Sequence, residues 1–237
     1  MLMAVARPKI GALVNRVLRT SRPMPRSPAV LPSRWPNRIN AGNADVVHLH
    51  WINNEMMSIE DVGKIDKPIV WTLHDMWAFC GAEHVTEDVR WRESYSPGSR
   101  PAHESGLDLD RWTWRRKRRA WSTPMHMVTP SHWLGECVRQ STLMRDWPIS
   151  VVPNPIDTEV WRPVDKTLAR DLMGLRRDCR VLLFGTFGAN STWHKGFDLL
   201  QAALGHLRGR VDDLQLVIFG QYAPQDQIDV GYPVHYV

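Results

Sequence analysis

The stretch RVLLFGTFGANSTWHKGFDLL, residues 180–200, decides the fold. Val181 to Phe184 form an apolar run that stops at Gly185. A polar loop containing glycine follows, and Lys195 and Gly196 then open a helix-patterned segment with Phe197, Leu199, Leu200, Ala203 and Leu204. A strand that turns through glycine into a helix aims free backbone N–H groups and the positive end of a dipole at one spot. Lys195 beside that spot completes an anion site of the kind that takes nucleotide phosphates. The same pattern also occurs in α/β units that bind nothing, so this segment alone leaves both readings open. It is not a P-loop, which requires glycine at position 190 followed directly by lysine, where Asn190 and Ser191 stand.

Working outward, apolar runs recur along the chain: VVHLHW (46–51), PIVWTLHDMW (68–77), MHMVTPSHWL (125–134), ISVVPNPID (149–157), VLLFG (181–185) and LQLVIFG (214–220). Helix-compatible stretches lie between most of them. Continuous apolar strands separated by helices predict an α/β protein whose parallel sheet is covered on both faces. Ligands of such sheets gather at the carboxyl ends of the strands. His48, His50, His74, Asp75, Ser131 and Gly220 fall there.

These motifs, in this order, resemble the family 4 glycosyltransferases, and HLHW, WTLHDMW, VTPSHWL, VVPNPIDTEVWRP and LLFG…HKGFDLL carry the likeness. It is closest to the branch that builds bacterial exopolysaccharides such as colanic acid, and it covers roughly residues 44–237. The resemblance implies the GT-B fold, two Rossmann-like domains with parallel sheets facing each other across a cleft. It further implies transfer of a sugar from a nucleotide-sugar donor to a saccharide or lipid-linked acceptor, with retention at the anomeric carbon. The donor is a substrate, and no cofactor or metal is expected.

His74 is the leading catalytic candidate. It follows the strand PIVWTL and precedes Asp75, and an imidazole with a carboxylate neighbour can donate or accept a hydrogen bond near neutrality. The matching histidine of the family lies at the cleft floor near the reacting sugar. His50, Asp75 and Ser131 are the acceptor-side or cleft candidates. Lys195 matches the lysine that contacts the donor diphosphate, with Gly185 and Thr186 beside it. A fixed cation and a helix N-terminus would stabilise charge building on the leaving phosphate. Many members carry arginine where Thr186 stands here, and His194 is the local substitute. A metal held by His48, His50, His74 and Cys80 does not have the spacing of a common zinc site.

Composition sets further bounds. The formal net charge of +5 divides into +8 over residues 1–44 and −3 over the rest. Within 1–44, six prolines confine any helix to about residues 9–20, a basic amphipathic segment suited to an anionic membrane surface, to packing on the domain, or to a tail. Cys80, Cys137 and Cys179 are far apart, which favours free thiols and a reducing compartment. No apolar run approaches the roughly 20 residues that span a bilayer. The expected location is therefore cytoplasmic, at most peripheral at the inner membrane face. Trp51, Trp77, Trp133 and Trp193 are candidates for a carbohydrate floor or for ordinary packing.

The organisation expected is a basic, proline-interrupted extension (1–44), most of an N-terminal acceptor-side α/β domain (45–152), a crossing (153–179) and the start of a nucleotide-sugar-binding domain (180–237). Asp165 caps a short helix leading to Leu172. Residues 81–108 read as a long polar loop, a lid or a disordered segment. The stretch WTWRRKRRAW (112–121) suits a solvated helix face better than a nucleic-acid patch, so no nucleic acid is expected. Against the family it resembles, both domains look incomplete, because the glycine-rich loop that the resemblance implies ahead of HLHW and the family's paired donor-site glutamates are missing. The expectation is a transferase fragment with little activity alone. The competing readings are a non-catalytic interaction module that keeps the fold and, less favoured, a nucleic-acid-binding protein.

Overall fold

A computed structural model describes residues 2–17, 26–102, 104, 106–185, 195–220, 222–223 and 229–237. The chain divides into two compact units, Met1–Pro155 and Ile156–Val237. Its two sheets are parallel, as the apolar runs predict.

The first unit holds four strands in sequential order: β1 (Val47–Leu49), β2 (Ile69–Thr72), β3 (His126–Thr129) and β4 (Ile149–Val151). Pro68 and Pro148 stand just before β2 and β4. Neither position needs a backbone N–H, and the two carbonyls accept from Val47 and Met127 at 2.9 and 2.8 Å. Around the sheet run α1 (Leu2–Val17), α2 (Trp35–Asn40), α3 (Ile59–Val62), α4 (Arg90–Glu93), α5 (Leu109–Ala120) and α6 (His132–Gln140).

Only one face of this sheet is the dry face that the apolar runs suggest. Val47, Leu49, Ile69, Trp71, Met127 and Thr129 are buried there. On the opposite face His48 bonds Thr72 across β1 and β2 at 2.8 Å, and His126 bonds Ser150 across β3 and β4 at 2.9 Å. Polar cross-strand pairs satisfy each other and leave that face half wet. On the buried side Trp71, Trp77 and Trp121 form a cluster with ring centroids 5.5–6.3 Å apart. Each indole N–H finds a carbonyl: that of His50, Ser27 and Ile59 respectively. Trp77 is thus a packing residue, and Trp51 and Trp133 are exposed. Trp193 lies outside the described residues.

Three expectations for this unit need correction. Residues 26–44 are not a peripheral extension: Ser27 and Ala29 are buried, and Arg26 forms an antiparallel bridge with Glu83. Helix α1 begins well before residue 9 and runs through Pro8, pinned by the Arg7 guanidinium on the carbonyls of Leu31, Pro32 and Glu55. The polar stretch 81–108 is the long loop expected, interrupted by α4 and a 3-10 turn at Pro97–Ser99, but it packs on the domain and is not a disordered segment, with Glu83, His84, Arg90, Trp91 and Tyr95 buried. Arg90 is its hub, paired to Asp88 at 2.6 Å, Asp108 at 3.1 Å and both Glu104 and Asp110 at 3.6 Å.

Helix α5 departs furthest from expectation. Asp108 caps it by accepting from the Arg111 N–H at 3.0 Å. Arg115, Arg118 and Arg119 are exposed, but Lys117 is 0% exposed. The Lys117 ammonium donates to the carbonyls of Trp77, Cys80 and Gly81 and lies 3.8 Å from the Trp77 ring centre. Three carbonyls and an aromatic face replace water around the charge. The arginine-rich stretch is therefore a solvated face on one side and a buried cation on the other.

In the second unit α7 (Lys166–Leu172) starts at Asp165, whose carboxylate accepts from the Leu168 N–H at 2.8 Å, the cap read from the sequence. Arg170 ties α7 to the carbonyls of Arg176 and Cys179, just ahead of the strands that follow, whereas residues 156–168 are exposed. The strands β5 (Arg180–Gly185), β6 (Leu214–Phe219) and β7 (Val234–Tyr236) lie in that order. Helix α8 (Phe197–Leu207) packs Phe197 and Leu204 into a core with Leu216 and Ile218.

Candidate functional site

The carboxyl ends of β1 and β2 bring three of the sequence-selected residues together. His50 directly follows β1, and His74 and Asp75 follow β2. Nδ1 of His50 lies 3.0 Å from Nε2 of His74, with the rings stacked at a centroid distance of 5.3 Å. The ring centroids of His48 and His50 are 4.4 Å apart. An N–H···N bond between two imidazoles lets one ring donate and the other accept, so the proton position on His50 fixes the tautomer of His74. Both rings are exposed, open to a pocket that Trp51, Asn53, Thr72 and Asp75 also line.

Asp75 is tied down. Its Oδ1 accepts from the Trp77 N–H at 2.9 Å, and its Oδ2 accepts from the Trp51 indole at 3.2 Å and bonds Nδ1 of His84 at 2.6 Å. The far nitrogen of His84 bonds Ser27 Oγ at 2.8 Å. With three partners in place, Asp75 is an anchor for the turn that carries His74, not a mobile base. Nothing in the sequence singles out His84 and Ser27. His84 sits nine residues past Asp75 in a stretch without periodicity, and Ser27 in a proline-rich one.

Beneath this turn lies a cluster of buried ionisable groups. Burial, and next to it the charge of Asp110, pushes the Glu83 carboxyl up to about 8. Burial also works against ionising Asp110, but a hydrogen bond from Glu83 and the charge of Arg26 outweigh it and hold its carboxyl below the ordinary value. Glu83 is therefore the protonated partner of an acid pair, and the Tyr95 hydroxyl donates to its Oε1. Burial pulls the Lys117 ammonium down to about 7 and raises the Cys80 thiol well above its ordinary range, which leaves that cysteine unreactive. Among the described residues no three His, Cys, Asp or Glu side chains converge as metal ligands.

The other candidates are placed separately. Ser131 is the N-cap of α6, its hydroxyl accepting from the Leu134 N–H at 3.2 Å. Gly185 ends β5, where the ring of the half-exposed Phe219 lies over it: a Cβ there would come 1.9 Å from Cζ unless that ring shifted. Lys195 is exposed just before Gly196, the N-cap of α8, whose φ of 72° suits glycine. Thr186 and His194 lie outside the described residues.

A parallel α/β sheet with its polar cluster at the carboxyl strand ends is the framework of a sugar-nucleotide enzyme or of many others. The comparison with protein families narrows this: the model of Glycosyltransferase Family 4 matches residues 4–160, and the chain belongs to that family. The match takes in most of residues 1–44 along with the sheet of the first unit. No curated protein matches the chain.

Proposed function

We propose that the protein moves a sugar from a nucleotide-sugar donor to a saccharide or lipid-linked acceptor, with retention, in the assembly of an exopolysaccharide. The observation that carries this reading is the His50–His74 pair, anchored through Asp75 at the strand ends of a family 4 chain. His74 sits at the reacting centre, where its outward nitrogen bonds a sugar hydroxyl. Lys195, with Gly185 and Thr186, holds the donor diphosphate and offsets the negative charge that builds on it as the glycosidic bond breaks. Ser131 borders the acceptor side.

The work takes place at the cytoplasmic face of a membrane, with peripheral contact. No helix among the described residues is long and apolar enough to cross one. The test is a panel of uridine- and guanosine-diphosphate sugars in calorimetry and transfer assays, with the product's anomeric configuration read by NMR. Binding of at least one donor that Lys195→Ala weakens supports the reading. Indifference to every nucleotide sugar contradicts it.

A further inference from the structure

A second, larger groove adjoins the His50–His74 pocket, and Asn53 lines both. Its other walls include Arg7, Arg34, Trp35, Arg38 and Met56. Trp35 is 43% exposed and Met56 45%, and the Arg38 guanidinium stands 5.7 Å from the Trp35 ring centre. Neither Arg34 nor Arg38 has an ion-pair partner among the described residues. Arg7 is fixed on three carbonyls and no carboxylate. Glu55, the one acid in the lining among the described residues, is 1% exposed, and its Oε2 is taken by the N–H groups of Val30 and Leu31, both at 2.7 Å. Helix α1 closes over it through Gly11, where a Cβ would come 2.8 Å from Glu55 Cγ. What the groove shows to solvent is thus an aromatic face beside two guanidinium groups that, among the described residues, have no ion-pair partner.

The turn that forms its floor is held in an uncommon shape. Asn54 and Glu55 are consecutive non-glycine residues with φ of 55° and 59°. Such backbone persists where the surroundings over-determine it, and it concentrates at binding sites. A sugar ring stacks on an indole face, and a guanidinium fork matches a carboxylate or a phosphate.

We propose that this groove is the acceptor subsite and that the acceptor is an anionic glycan. Its ring lies on Trp35, its carboxylate or phosphate on Arg34 and Arg38, and its reacting hydroxyl reaches past Asn53 towards His74. The assignment rests on the transferase reading, but its test does not depend on turnover. Calorimetry of the 237-residue chain with cellobiouronic acid, glucose 1-phosphate and neutral cellobiose separates the sources of charge. The acid or the phosphate should bind at least about tenfold more tightly than cellobiose, with an affinity that falls as salt rises.

Arg34→Ala with Arg38→Ala should cost about tenfold for the anionic ligand and little for cellobiose, whereas Trp35→Ala should weaken all three. Arg145→Ala, an exposed change elsewhere in the unit, should alter nothing, and unchanged thermal melts confirm that the variants fold. Arg34→Lys with Arg38→Lys should recover part of the loss, because charge returns without the fork. Equal binding of acid and neutral sugars overturns the proposal. So does anion binding that survives the double alanine change, or binding to phosphatidylglycerol vesicles alone. Nucleotide-sugar binding, titrated separately, reports on the transferase reading: glycan binding without it removes that reading and leaves the groove, and the converse removes the groove.

Discussion

His50 and His74 share a hydrogen bond of 3.0 Å between Nδ1 and Nε2, which joins the ends of two neighbouring parallel strands through their side chains. One imidazole therefore positions the other, and the nitrogen that His74 turns outward is donor or acceptor according to its partner.

Replacing His50 by phenylalanine keeps the ring stack and removes the bond. A lost neutral hydrogen bond is worth about 1 kcal/mol, so turnover should fall about fivefold while donor affinity stays near its original value. Steady-state kinetics of His50→Phe check this. An unchanged pH profile together with unchanged turnover would leave His50 as packing.

Much of this site is legible in the amino-acid sequence. Apolar runs mark β1 to β6, and a histidine or acid directly after such a run falls at a carboxyl strand end, which is what marks out His50, His74 and Asp75. Asp165 reads as a cap because a short polar acceptor precedes a helical pattern. Lys117 is not legible in this way. Among neighbouring basic residues only the register of α5 against the turn carrying Trp77 decides which one turns inward. His84, Arg90 and Glu83 are hidden for a related reason, since a segment ordered by ion pairs and buried hydrogen bonds leaves no hydrophobic period to read.

Lys117→Met should test that buried cation. The change leaves the carbonyls of Trp77, Cys80 and Gly81 without their donor. The expected loss is about 2–4 kcal/mol of unfolding free energy, read from urea melts. A loss below about 0.5 kcal/mol would mean that other donors satisfy them.

Glu83 makes stability depend on pH. Its carboxyl is raised from 4.5 to about 8 in the folded chain, so the folded state keeps a proton that the unfolded state releases. The stability this confers is complete below about 4.5 and is lost as pH rises through about 8, by at most about 1.4 kcal/mol per pH unit. Glu83→Gln mimics the protonated acid and should flatten the profile over that window. Parallel wild-type and Glu83→Gln curves between pH 5 and 8 would show that Glu83 is ionised when folded.

Lys195→Ala should weaken binding of a nucleoside diphosphate by about 1.5–3 kcal/mol, the scale of a charge-assisted hydrogen bond. Calorimetry reads it directly, and an unchanged dissociation constant would move the donor phosphates elsewhere.

The most direct measurement is sugar transfer by His74→Ala beside donor binding by the same variant. A residue at the reacting centre contributes mainly in the transition state, so turnover should drop by about 100-fold or more while the donor dissociation constant changes by less than about threefold. Equal losses in both quantities, or no loss in either, would contradict the placement of His74 at the centre of the reaction.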